Sequence, residues 1–467
     1  MMHKFAALSA ISAALVLAGC SSTPLPLDAK PQELPAAWAQ GTPAPTNPDW
    51  WNNLGDPRLG PLVEEALRAN TDIRGALQRV AQARAQVGIT DADRGLQLGV
   101  EASATRARAA RSQVAPGVSP YGTSLGVGLQ VAYEVDLWGR YAQATRAARS
   151  DLAATEADQA AVRLTVAAET ARLYFALVAL EAQAAISRQA ITQQREALGL
   201  QERRANAGVI SDFELKQIRA EIATLEADLP NIVQQRDRAQ TALAVLLGRS
   251  PKDIFLRVVE PGTPPVPGAM LVPAGLPSEL LLRRPDLVRA QYQLAAADAR
   301  VDVARTAGYP SLALTGTAGS LAPRASDLFS GSSFVWSIGA AVAQTILDGG
   351  RRQATTEYAR ATRELALVQW EASVARAFGE VRDAINGQAN SAAAAKAQRD
   401  RMTALREVRE LARLRFDNGI ASQIDLLDAD RQLLAAQSAL VAAEQAQRNA
   451  VVDLYRALGG GWQAQQP

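Results

Sequence analysis

The sequence predicts an α+β membrane protein. A few amphipathic strands per chain join a shared transmembrane β-barrel, which a very long helical tube continues. Three observations predict this class: an internal repeat spanning almost the whole chain, alternating strands in each copy, and helical stretches of about 65 residues.

The N-terminus sets the compartment. Met1 to Lys4 are positively charged and Phe5 to Leu17 form an apolar, Ala-rich run. That run is shorter than the roughly 20 residues a spanning helix needs. It ends in Leu17-Ala18-Gly19-Cys20, the pattern of a bacterial lipobox rather than of an ordinary signal-peptidase site. Cys20 is then expected to become the first mature residue and to carry diacylglycerol and an acyl chain. Ser21 stands where an Asp would favour retention in the inner membrane, so the expected address is the outer membrane.

Residue usage excludes much chemistry. The one His is His3 and the one Cys is Cys20. A mature chain without imidazole or free thiol supports no disulfide framework, no Cys/His zinc site and no Ser–His or Cys–His couple. No catalytic or metal-binding residue is assigned, and no enzyme is expected. Formal net charge is +2, with no basic block to suggest nucleic acid.

The repeat is visible at fixed shifts. A shift of 211 aligns Arg140 with Arg351, Gly208 with Gly419, Ser211 with Ser422, Leu215 with Leu426, Leu229 with Leu440 and Leu247-Gly248 with Leu458-Gly459. Upstream, a shift of 214 aligns Asp72 with Asp286, Val87 with Val301 and Leu98 with Leu312. Each copy reads helix, strand, strand, very long helix, turn, helix.

The strands show clean alternation. Leu125, Val127, Leu129, Val131, Tyr133 and Val135 share one face, with Gly126, Gly128, Gln130, Ala132 and Glu134 between them. Leu96, Leu98, Val100 and Ala102 alternate with Gln97, Gly99, Glu101 and Ser103; Phe334, Trp336, Ile338, Ala340 and Val342 alternate with Ser337, Gly339 and Ala341. Such segments suit a barrel wall or a half-buried soluble sheet.

The helices decide between the two. Arg140 to about Arg204 carries no Pro, and Arg351 to about Phe416 has only Gly379 and Gly387 as interruptions. About 65 residues make a rod of roughly 100 Å, against about 12 residues for an ordinary helix. The shorter helices before and after each rod sum to a similar length, so they are expected to stack end to end beside it. Leu215, Ile218, Ile222, Leu225, Leu229, Ile232, Arg236, Ala239, Leu243 and Leu246 form a heptad seam. Four strands per chain cannot close a membrane barrel, so several chains must share one; three would supply twelve strands.

The expected organisation is a signal peptide (1–19), an anchored extended tether (20–57), a first repeat (58–250), a Pro-rich linker (251–277), a second repeat (278–459) and a tail (460–467). Within the first repeat the first helix covers about 58–94, the hairpin about 96–136, the long helix about 140–205 and the last helix 211–247. In the second the hairpin, long helix and last helix cover about 311–346, about 351–416 and 422–458.

Several motifs carry no chemistry. Gly126-Val127-Gly128 lies within a strand, and Leu247-Gly248-Arg249-Ser250 lacks the Lys and spacing of a phosphate loop. Arg106, Arg108 and Arg111 read as a solvated strand end. The turns at Gly208 and Gly419 break the rods at equivalent positions, each Gly stopping a helix and Ser211 or Ser422 capping the next. Asp425 and Asp428 follow at i and i+3. They read either as symmetry-related acidic rings or as favourable helix-start charges.

With the lipobox, Trp50-Trp51…Asp56-Pro57…Leu59, Asp136-Leu137-Trp138-Gly139-Arg140, Leu282-Arg283-Arg284-Pro285-Asp286 and Gly419…Leu426-Leu427-Asp428-Ala429, the chain resembles the TolC family of outer-membrane export channels, in the lipoprotein branch related to OprM and NodT. The resemblance implies a homotrimer with a twelve-stranded barrel and a periplasmic helical tunnel. A periplasmic adaptor would dock on that tunnel, joining it to an inner-membrane pump, often proton-driven. It also implies a periplasmic gate at Ile424, Asp425, Asp428 and Phe213, and adaptor-docking turns at Gly208, Val209, Gly419 and Ile420. One departure stands out. TolC has a Tyr and an Arg in the links that hold its tip shut, and these positions read Phe416 and Ala421 here, so closure must rest on apolar packing and other contacts.

The function so expected is a passive exit duct for small-molecule efflux. The alternatives are an exit duct for type I protein secretion and, in a different class, a lipid-anchored coiled-coil scaffold without a pore.

Overall fold

The structure is a computed structural model that describes residues 49–208, 211–262 and 283–461. The signal peptide, Cys20, the tether up to residue 48, Val209, linker residues 263–277 and the tail from residue 462 lie outside the described residues.

After a short 3-10 turn (Trp50–Leu54), the first copy runs α1 (Leu59–Ala69), α2 (Thr71–Ala92), β1 (Gln97–Arg108), β2 (Tyr121–Val135), α3 (Arg140–Asn206) and α4 (Asp212–Leu246). A six-residue helix, α5 (Pro251–Leu256), opens the stretch expected as linker. The second copy runs α6 (Pro285–Thr306), β3 (Ser311–Ala322), β4 (Phe334–Ala343), α7 (Arg351–Asp417) and α8 (Gln423–Ala457). The copies match in length: α2 and α6 have 22 residues, α3 and α7 have 67, α4 and α8 have 35.

One expectation needs correction. A single helix over about 58–94 is broken at Asn70, which sits at φ −58, ψ 135. Its carboxamide oxygen accepts hydrogen bonds from the amides of Asp72 (2.8 Å) and Ile73 (3.1 Å), satisfying two orphan donors of the new helix. Its Nδ2 donates to the carbonyl of Leu246, 2.9 Å away, at the end of α4. So Asn70 caps one helix and holds the end of another.

That contact is the end-to-end junction of the short helices beside the rod. Gly248 (φ +70) lies so close to Ala69 that an added Cβ would stand 2.2 Å from its carbonyl oxygen; at Gly459 (φ +88) the same construction meets the Arg283 carbonyl at 2.4 Å. Only Gly tolerates both the left-handed backbone and that approach. The repeated Leu-Gly pairs are therefore the joints of the stacked helices. Beside the second joint, Arg284 donates to the Ala457 carbonyl, 3.1 Å away.

The apolar core gathers at the level of these joints. Trp50, Trp51, Leu54, Leu59 and Val63 pack on Tyr174 and Phe175 at the middle of α3 and on Val451 and Val452 of α8. The Tyr174 hydroxyl donates to Asp56 (2.5 Å) and accepts from the Gly262 amide (3.0 Å). Burial and the neighbouring Asp56 carboxylate push the Tyr174 hydroxyl up to about 12, so it stays a neutral donor.

The strands form one antiparallel sheet in the order β1-β2-β3-β4, so the two copies meet at the β2–β3 pairing. Helix α3 packs on α2 and α6 on the strand side of the joints, and on α4 and α8 on the other side. Helix α7 packs on α6 and α8. α3 is thus the middle of the helical layer and α7 one of its margins.

Candidate functional site

Register assigns the two faces of the sheet. Val131 pairs with Leu98, Leu129 with Val100 and Val127 with Ala102; across the next seam Tyr133 pairs with Leu314, and Ile338 with Gly316. Directly paired residues share a face, so one face is apolar on all four strands. Among the side chains of the opposite face are Glu101, Ser103, Thr105, Gln130, Glu134, Thr315, Thr317 and Ser337. On that face Gln130 donates to Glu101 at 2.8 Å, and Thr317 and Ser337 share a 2.7 Å hydrogen bond. Leu98, Val100, Trp336 and Ile338 are all more than 60% exposed, so nothing among the described residues covers the apolar face. Hydrocarbon is the solvent that such a surface fits, and no described helix is long and apolar enough to cross a membrane itself. β1 and β4 have no further strand partner among the described residues. Their open ladders cannot remain so in lipid.

Both rods start after a left-handed Gly, Gly139 (φ +73) and Gly350 (φ +86). Asp136 accepts from the amides of Tyr141 and Ala142, and Asp348 from those of Gly350 and Arg352. These carboxylates satisfy first-turn donors where strand becomes rod.

At the other end, Gly208 (φ +76) and Gly419 (φ +73) terminate the rods with open space around them. Each following helix opens with a reciprocal capping box. Ser211 and Glu214 form the first, and Ser422 and Asp425 the second. Asp425 accepts from the Ser422 amide and hydroxyl, both at 2.8 Å, and these bonds hold its carboxyl below the usual carboxylate range. It is therefore turned back onto its own helix start. Asp428 is exposed and accepts from Gln432 Nε2 at 2.6 Å. Ile424, Phe213 and Ile420 are 51%, 64% and 68% exposed. The capping Asp was legible as a favourable helix-start charge, and that is how its carboxylate is engaged.

Sequence reasoning missed the ties that join the copies near the tip. Gln201 of α3 donates to Gln423 of α8 (3.2 Å), and the Arg204 guanidinium lies 5.8 Å from the Phe416 ring centroid. Farther in, Asp430 accepts from Gln194 of α3 (3.1 Å) and Arg409 of α7 (2.9 Å), while Arg431 of α8 grips buried Glu221 of α4 at 2.5–2.7 Å. These ties bound a cavity of about 120 Å³ among the four helices. The only sequence signal was a charged residue beside a seam position, which also describes an ordinary solvated flank.

Known proteins share this architecture. The family model described as outer membrane efflux protein matches residues 62–249 and 276–460. The pyoverdine export outer membrane protein OpmQ of Pseudomonas aeruginosa is 34% identical over 473 residues, covering 98% of this chain and 97% of that protein. The cation efflux system protein CusC of Escherichia coli is 30% identical, covering 96% and 97%. The crystal structure of the Campylobacter jejuni CmeC outer membrane channel superposes with a TM-score of 0.90 at 27% identity, covering 96% of each chain. A sheet with a lipid-type face, two rods of one length and a family match falling on both copies lead to one conclusion: the chain belongs to the outer membrane efflux protein family.

Proposed function

We propose that the chain is one subunit of a lipid-anchored homotrimer, the exit duct of a tripartite system that exports small molecules. One observation carries the reading: the slab has two different open margins. β4 and α7 bound one side, and β1 with α2 and α4 bounds the other. Unlike margins that complete one another generate a head-to-tail ring, and four strands per copy make a twelve-stranded barrel at three copies. Along its uncovered flank α7 exposes Tyr358, Leu365 and Val368 near the barrel, then Val408, Leu411 and Leu414 near the tip. An apolar stripe of that length fits a neighbouring copy.

Cys20 carries the lipid, and the helices lie in the periplasm. Ile424, Asp425, Asp428 and Phe213 form the resting constriction. Gly208, Val209, Gly419 and Ile420 receive the tip of a periplasmic adaptor, which joins the duct to a proton-driven inner-membrane pump. Small-molecule cargo is supported by relatives named for export of pyoverdine, toluene and cations. The duct does no chemistry of its own.

The test is purification of the full chain, followed by bilayer recording and a drug, dye and metal susceptibility profile of the deletion strain. A trimer resistant to SDS, discrete conductance steps and hypersensitivity of the mutant are expected. A monomer that conducts nothing would end the reading, and an unchanged susceptibility profile with a protein missing from the culture medium would replace small-molecule cargo by protein.

A further inference from the structure

The arginines at the loop end of β1 are not an ordinary solvated rim. Arg106 and Arg108 continue the parity of Leu98, Val100, Ala102 and Ala104, so they stand on the apolar, outward face of the wall, not on the polar face that lines the duct. Counting from Leu98, Arg108 is ten residues farther along the strand. At about 3.3 Å per residue and a tilt of 35–45°, it stands roughly 25 Å higher along the barrel axis. That is the height of the apolar band, so these guanidiniums fall where hydrocarbon ends and headgroups begin. Tyr121 pairs with Arg108 in register and on the same face; its ring centroid is 5.6 Å from the Arg108 guanidinium. Arg111 follows, exposed, and residues 104–124 include no Asp or Glu. No carboxylate among the described residues pairs with any of the three.

We propose that Arg106, Arg108 and Tyr121 form an outward-facing clamp for the phosphate of a glycolipid in the outer leaflet. The proposal rests on the orientation given above, with the strand loops outside the cell. Charge complementarity selects the occupant. Planar guanidiniums on adjacent outward positions can each donate two hydrogen bonds to phosphate oxygens, and Tyr121 braces one of them at the depth of an interfacial aromatic. Anions in the duct face the other side of the sheet. A free phosphate would lack the acyl chains that Leu125, Val127 and Leu129 of the same face accommodate.

The test uses the full-length trimer in detergent, incubated with bisphosphorylated lipid A or with its dephosphorylated form, and read by native mass spectrometry. The wild type is expected to retain the bisphosphorylated lipid. Arg106→Gln with Arg108→Gln should lower the bound fraction about tenfold, and the double Lys variant should retain an intermediate amount. The dephosphorylated lipid should bind wild type and Gln variant alike, and millimolar inorganic phosphate should not displace the lipid. Equal retention of both lipids by both proteins would overturn the clamp, and displacement by inorganic phosphate would replace it with a free-anion site. Orientation is read separately with Val118→Cys on intact cells and an impermeant maleimide. Labelling is expected; its absence overturns the orientation itself, whatever the lipid result.

Discussion

The two rods have the same length, 67 residues, and opposite circumstances. Nineteen side chains of α3 are buried within the chain, and only eight of α7. α3 lies between α2 and α6, then between α4 and α8, and meets small or aromatic side chains on several sides. α7 is covered along one flank. One helix is finished by its own chain, and its repeat equivalent is left for a neighbour. Internal duplication thus supplies length and period, while position in the layer decides what each copy must do.

Substitutions can break or sharpen that contrast. The largest loss of chain stability is expected from Phe175→Ala, which empties a fully buried site at the centre of α3. It should cost about 3–5 kcal/mol and leave little folded protein, read by thermal unfolding and limited proteolysis.

Next comes Arg284→Ala. Arg284 is buried and forks onto Asp286 (2.7 and 3.0 Å) while reaching Glu380 of α7 at 2.7 Å. Removing it should cost about 3 kcal/mol, because two acidic partners remain in a half-buried site. The same cluster predicts a pH dependence. Burial alone would raise Asp286, but the Arg284 fork outweighs it and holds the carboxyl below 3.8, its ordinary value. Its stabilising contribution is therefore complete above that value and lost as pH falls below it. A wild-type Tm that falls as the pH is taken below 3.8, with a flatter profile for Asp286→Asn, is the expected result.

A smaller effect on the chain itself is expected at the open flank of α7. Leu365→Glu with Val368→Glu should change monomer stability by only about 0.5 kcal/mol, since both residues are more than half exposed. The SDS-resistant trimer should nevertheless disappear. If it persists, the neighbour contacts another face.

Smallest in energy is the tip. Asp425→Ala with Asp428→Ala should raise single-channel conductance. The stability of the helix start should barely change, because the Ser422 hydroxyl can still cap without its reciprocal partner. Unchanged conductance and cation preference would reduce both residues to helix-start chemistry.

Much of the fold was legible because two periods are written plainly. Leu98 through Ala104 and Leu125 through Val135 alternate without a break, and paired register then places them on one face. The long helices show as stretches without Pro, and Gly199, Gly379 and Gly387 do not interrupt them. The break at Asn70 was missed because the apolar period continues across it, although Asn before Thr-Asp is a cap signal. Pro230 sits inside α4 without ending it. What the sequence could not distinguish was middle from margin. α3 and α7 share length and period, and only the contacts of α2, α4, α6 and α8 separate them. At the tip, the residue types were readable but their bonds were not. Asp425 faces its own cap, and Glu221 with Arg431 ties together helices 210 positions apart in sequence.

The unpaired ladders of β1 and β4 have a genetic consequence. A ring whose every seam joins two different molecules has no spare contact, so one faulty margin spoils the whole assembly. In a cell making normal and β4-damaged chains equally, only about one trimer in eight would hold three normal copies. Alleles that damage a margin should therefore act dominantly, whereas those that unfold α3 should be recessive, because their products never reach the ring.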